Sequence, residues 1–132
     1  MEENSENNRK IEFDVFTICI QEDWYYEITV LPEKVFGVDN LKQVVESEQK
    51  LGSRVLPVLI LVKQYATTTS EFLFHLAKPN SNPFAKAEAY VIHSLNQKIL
   101  GNFYLKMIKP RRPTKVFTLE SEAKKWLKQF SD

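Results

Sequence analysis

The chain has 132 residues, of which 43% are hydrophobic, 12% aromatic and 27% charged, with a net charge of +1. That is the composition of a globular domain, and the length supports one hydrophobic core but not two. A single cysteine, Cys19, excludes an internal disulfide framework and any multi-thiolate metal site. No apolar run reaches the roughly 18 residues of a membrane span, and the opening MEENSENNRK is too polar for a signal peptide, so a cytoplasmic protein is expected.

Residues 1–10 are too polar to order themselves and read as a tail, leaving 11–132 as the domain. Residues 11–20 start with strict alternation, Ile11, Phe13 and Val15 against Glu12 and Asp14, and end almost wholly apolar, as one strand would. After the polar break Gln21-Glu22-Asp23, residues 24–30 alternate again, which predicts an antiparallel hairpin. Asp39-Asn40 offers a helix cap, Leu41, Val44, Val45 and Leu51 form a helical stripe, and Gly52 stands where a helix should stop. The near-continuous apolar run to Val62 has the pattern of a buried parallel strand.

Residues 67–77 predict a short helix capped by Thr69 or Ser70 and stopped by Pro79, and Asn82-Pro83 has the form of a new helix start. Residues 90–93 read as a short strand. Residues 94–108 carry the strongest periodicity, with Leu95, Ile99, Phe103 and Met107 in one row and Ile92, Leu100, Tyr104 and Ile108 in the next. Gly101 in mid-helix costs about 1 kcal/mol relative to alanine, which close approach of the backbone to the sheet or a partner would explain. A last strand over 114–117 precedes a helix capped by Thr118 that buries Leu119, Ala123, Trp126, Leu127 and Phe130, its acids first and its lysines last. Strands alternating with helices after a hairpin predict an α/β fold: one mixed sheet of about five strands, with helices mainly on one face.

Candidate sites are few. The histidines, His75 and His93, lie among apolar neighbours without an acid or metal-ligand spacing, so no catalytic residue, metal or cofactor is assigned; an enzyme built on either is the alternative reading. Thr67, Thr68, Thr69 and Ser70 read first as capping hydroxyls and second as a phosphorylation or switch region. Between residues 89 and 119 there is no acid, and Lys106 to Lys115 is basic, with Lys109, Arg111 and Arg112 as candidate anion contacts. The balanced total charge argues against a dedicated nucleic-acid binder. The wide apolar face of 94–108 is either all core or part interface, with Gly101 and Tyr104 as the candidate contacts.

The stretch 98–118, with its Gly-Asn-Phe turn and Lys-Pro…Pro-Thr connection, and the closing Glu-Ala…Trp-Leu helix over 122–130 resemble the C-terminal half of small bacterial STAS-like proteins, relatives of the anti-sigma factor antagonist (SpoIIAA-like) fold. With the order of elements before it, the likeness spans about residues 11–130. The resemblance implies a regulatory domain that binds a protein or small ligand without chemistry, and it implies pairing of two copies as a homodimer. Phosphorylatable antagonists of that superfamily carry an Asp-Ser pair after the central strand. Residues 63–70 occupy that place here with hydroxyls but no Asp-Ser pair, so no switch residue is carried over.

Overall fold

The structure of the chain, a computed structural model, describes residues 9–131, so most of the expected tail lies outside the described residues. The first apolar run is a hairpin and not one strand. Strand β1 (Ile11–Glu12) pairs antiparallel with β2 (Phe16–Gln21), and the Phe13 N–H donates to the Phe16 carbonyl at 2.8 Å across the bend. A second tight turn, with φ of 52° at Glu22 and 64° at Asp23, leads to β3 (Tyr25–Val30), antiparallel to β2. Positive φ at an acid pair takes the place of the usual Asn-Gly signal.

Strand β4 (Val35–Phe36) precedes helix α1 (Val38–Lys50). The helix starts two or three residues earlier than Asp39-Asn40 suggests: Gly37 is the cap residue, and its N–H donates to the Asn40 side chain at 2.8 Å. Gly52, at φ 113°, turns the chain away after α1 as expected. Next come β5 (Leu56–Val62), β6 (Thr67–Thr68) and α2 (Ser70–Leu76), whose Phe72 N–H donates to the Thr69 hydroxyl at 3.1 Å. Asn82-Pro83 starts no helix. The Asn82 side chain accepts from the Phe84 N–H at 3.0 Å and so bends the chain into β7 (Ala85–Val91), longer than the predicted 90–93.

Helix α3 (Leu95–Phe103) opens on a reciprocal Ser94–Gln97 cap and widens into one π turn over Tyr104–Ile108, closed by the Lys109 N–H on the Tyr104 carbonyl at 2.8 Å. Strand β8 (Thr114–Phe117) matches its prediction. Helix α4 (Glu120–Lys128) has Leu119 at its cap instead of Thr118, and Leu119 is 61% exposed where burial was expected.

The main sheet runs β1-β2-β3-β5-β7-β8, six strands where about five were expected, while β4 and β6 form a separate parallel pair. From β3 onward every neighbour is parallel and each strand is laid on the same side of the last. Right-handed crossovers stepping in one direction all arrive on one face. Helices α1, α2 and α3 accordingly share a face. There Val44 packs with Phe16, Tyr26, Ile28 and Ile60, and Leu41, Phe72, Leu73 and Tyr104 form an adjoining cluster. Helix α4 follows the last strand and turns to the other face, where Ala123 and Leu127 pack on Leu59, Leu61, Ala87, Ala89 and Val91. The fold is α/β with a mixed sheet, as the order of elements predicts.

Candidate functional site

Three crossover helices on one face leave a space beneath them. Between the sheet and α1, α2 and α3 lies a cavity of about 130 Å³, walled by Ile60 of β5, Tyr90 of β7, Leu41 of α1, Leu73 of α2, and Leu100 and Tyr104 from the third helical segment. All of these are buried or half-buried. Ala66 and Gly101 stand in the wall and contribute almost no side-chain volume. Thr67, Thr68 and Gln97 border the cavity where β5 ends. Gln97 is fully engaged, donating to the Lys63 and Ala66 carbonyls at 2.9 Å each and accepting from the His93 and Ser94 N–H groups.

The other end is polar and buried. Alternation along β7 sends Ala87, Ala89 and Val91 to the α4 face and Glu88 and Tyr90 to the cavity face. One Glu88 oxygen accepts from the Tyr90 hydroxyl at 2.9 Å; the other meets the Arg112 guanidinium at 3.5 Å, with both charged side chains under 10% exposed. Arg112 also donates to Ser81 Oγ at 3.0 Å and to the Leu76 carbonyl at 3.4 Å, tying the β8 approach to the end of α2. Burial raises the Glu88 carboxyl above its ordinary range, against the pull of Arg112 and the Tyr90 hydroxyl. Beside this pair, Glu48 of α1 is fully buried. One of its oxygens accepts from Asn82 at 3.4 Å and the other has no hydrogen-bond partner. Desolvation, aided by the charge of Glu88 and opposed by Asn82 and Arg112, pushes Glu48 up to about 8, which favours the neutral carboxyl at pH 7. Tyr104 lines the cavity, and its hydroxyl is likewise buried and without a partner.

The residues singled out from sequence are scattered around this site. Thr67 and Thr68 belong to β6 and line the cavity, Thr69 caps α2, and Ser70 is its exposed first residue. Gly101 is half-buried, with the side a Cβ would occupy towards Val116 and Ile92, and Tyr104 is 3% exposed, so Tyr104 does not lie on an outer surface where a second subunit could touch it. The outward row of the same helical segment is Leu95, Ile99 and Met107, at 74%, 57% and 70% exposure. The basic segment is divided: Lys109 and Arg111 are exposed, whereas Arg112 points inward to Glu88 and is not available to an outside anion. His75 is half-buried on α2 and His93 exposed after β7, on separate elements. Cys19 is buried in β2, and among the described residues no cluster of His, Cys, Asp and Glu is placed to hold a metal.

The sequence reading missed the polar end altogether. Its signal was present: Glu48 continues the Leu41–Val44 stripe of α1, and Glu88 sits in a strand whose neighbours are alanine, tyrosine and valine. Glutamate is almost never fully buried unless paired, so a glutamate on a core-facing stripe points to a partner. Among the described residues no helix is long and apolar enough to cross a membrane. A family model described as a domain of unknown function, DUF7793, matches residues 25–131. No curated protein and no solved structure matches the chain.

Proposed function

The chain belongs to the DUF7793 family, and from that premise we propose that it is a non-enzymatic, STAS-like regulatory domain that holds a small, mainly apolar molecule beneath α1, α2 and α3. The observation that carries this reading is the cavity: about 130 Å³, well below the roughly 300–1,000 Å³ of drug-sized pockets, it is walled by apolar side chains with a few placed polar groups and has room for a very small molecule. The one-directional sheet with three helices on one face is in keeping with the resemblance read from the C-terminal half. The same helices that roof the cavity, α2 and α3, present the outer surface, so occupancy and surface are mechanically adjacent.

Pairing of two chains is the second reading, favoured by the outward row Leu95, Ile99 and Met107 together with Phe74, which is 56% exposed and packs edge-on against Phe103. A native mass spectrum of the protein purified from its own host tests both readings. A mass increment matching a small organic molecule, released on gentle activation, is the expected result. A bare chain that also fails to take up small apolar probes refutes ligand holding, and a monomer at micromolar concentration refutes pairing.

A further inference from the structure

The outer side of the third helical segment carries apolar and basic residues side by side. Leu95, Ile99 and Met107 are exposed along it, and Phe74 of α2 joins them, packed edge-on against Phe103. In a regular α-helix every fourth residue drifts by about 40° around the axis. The wider π turn over Tyr104–Ile108 holds back that drift, so Met107 stays in line with Leu95 and Ile99. Lys98 and Lys106 are exposed on the same segment, Lys109 and Arg111 follow its end, and Lys78 follows α2. Against these five cations α2 presents one exposed acid, Glu71, and Glu122 of α4 shares a groove with Lys98; no acid lies between residues 89 and 119.

A second copy of the chain is one occupant for such a row, and charge weighs against it. Two chains meeting through the same patch would bring each set of cations against its twin, and like charges set opposite one another weaken an interface. Protein interfaces are also depleted in lysine and enriched in arginine, whereas every cation here except Arg111 is a lysine. A helix with an apolar row along one side and lysines beside it is the form that lies in the plane of an anionic lipid surface. The apolar side chains enter the acyl boundary, and the lysine stems carry their ammonium groups to the phosphates. We propose that α3, its π turn and Phe74 form a docking surface for an anionic membrane, used whether or not the cavity is filled.

The test is co-sedimentation of the full chain with vesicles of phosphatidylcholine, alone or mixed with an equal part of phosphatidylserine. Sedimentation with the mixed vesicles only, weakening as salt is raised, is the expected result. Each lysine at such a surface is worth about fivefold in affinity, so Lys98→Ala and Lys106→Ala together should cost roughly twentyfold. Ile99→Glu, at an exposed position, should cost at least about tenfold. Lys125→Glu makes the same total change of charge on α4, across the sheet, and should stay within about threefold of the parent. No sedimentation with the mixed vesicles overturns the proposal, and so does an equal loss in Lys125→Glu, which would mean attraction by net charge alone. Brominated lipids give a readout that needs no variant: Trp24 and Trp126 belong to the α4 face, and their quenching would put that face on the membrane instead. A dimer that Ile99→Glu dissociates, without vesicle binding, would return the row to a second copy. Poly-glutamate that shifts the methyl signals of Leu95, Ile99 and Met107 where vesicles fail to bind would assign it to an acidic polypeptide; either result refutes the membrane.

Discussion

Replacing Glu48 with glutamine removes a titrating group from the most deeply buried polar position in the structure and leaves its shape in place. The parent carboxyl titrates near 8 when folded and near 4.5 when exposed. Below pH 4.5 both states carry the proton, and the group contributes nothing to the pH dependence. Between 4.5 and about 8 the folded protein retains a proton that the unfolded chain has released, so stability falls as pH rises through that window. Above about 8 the carboxylate is ionised in both states and the loss is complete. At about 1.4 kcal/mol per unit the loss amounts to at most about 5 kcal/mol, a large share of the 5–15 kcal/mol or so typical of a domain. Glutamine keeps a carbonyl oxygen for Asn82 and never ionises. Urea unfolding followed by the fluorescence of Trp24 and Trp126 should therefore find parent and Glu48→Gln within about 1 kcal/mol of each other at pH 5, with the variant ahead by several kcal/mol at pH 9. Glu88, also shifted upward, is coupled to Glu48 by its charge, so the difference between the two curves reports the pair and not Glu48 alone. Stability curves that stay parallel from pH 5 to pH 9 would refute the burial argument for Glu48.

Arg112→Met strands the Glu88 carboxylate in the core and should cost about 3–5 kcal/mol in urea unfolding, most of which the added change Glu88→Gln should recover; full recovery failure would show that Arg112 acts through Ser81 and Leu76 instead. At Gly101→Ala the new methyl meets Val116 Cγ2 at 3.4 Å and Ile92 Cδ1 at 3.5 Å, ordinary contacts, so the helix gains up to about 1 kcal/mol and the melting temperature rises. A lowered melting temperature would show that the sheet does press on that backbone.

Elements with a single dominant signal were legible in the sequence. Strand β5 is a near-continuous apolar run, interrupted by Pro57 alone, β8 is bracketed by Pro113 and a cap, and α4 agrees in pattern and charge order. Where one residue type serves two geometries, the reading divided. Asn82-Pro83 has the chemistry of a helix cap, but the same side chain bonds the Phe84 N–H two residues on and makes a turn into a strand. The bend at Phe13–Val15 carries no glycine or proline, so nothing separates β1 from β2 in the pattern. Periodicity found both apolar rows of residues 94–108 but could not say which one faces the sheet. That is set by where β8 and α2 lie, and it sent Tyr104 inward and Ile99 outward. The polar end escaped because Glu48, Asn82, Glu88 and Arg112 come from four separate stretches, so the apolar settings of Glu48 and Glu88 pointed neither to each other nor to Arg112.

The strand order has a consequence for synthesis. From β3 on, each strand docks beside one already made, so the sheet can grow outward in the order in which its parts leave the ribosome. The cavity face is roofed as it grows, because each crossover helix is made before the strand that follows it. The opposite face has no such provision. Leu59, Leu61, Ala87, Ala89 and Val91 all precede the helix that covers them, and α4 is made after every strand it shields. Until α4 has emerged and docked, the nascent domain carries a bare apolar sheet face, open to aggregation or to a chaperone.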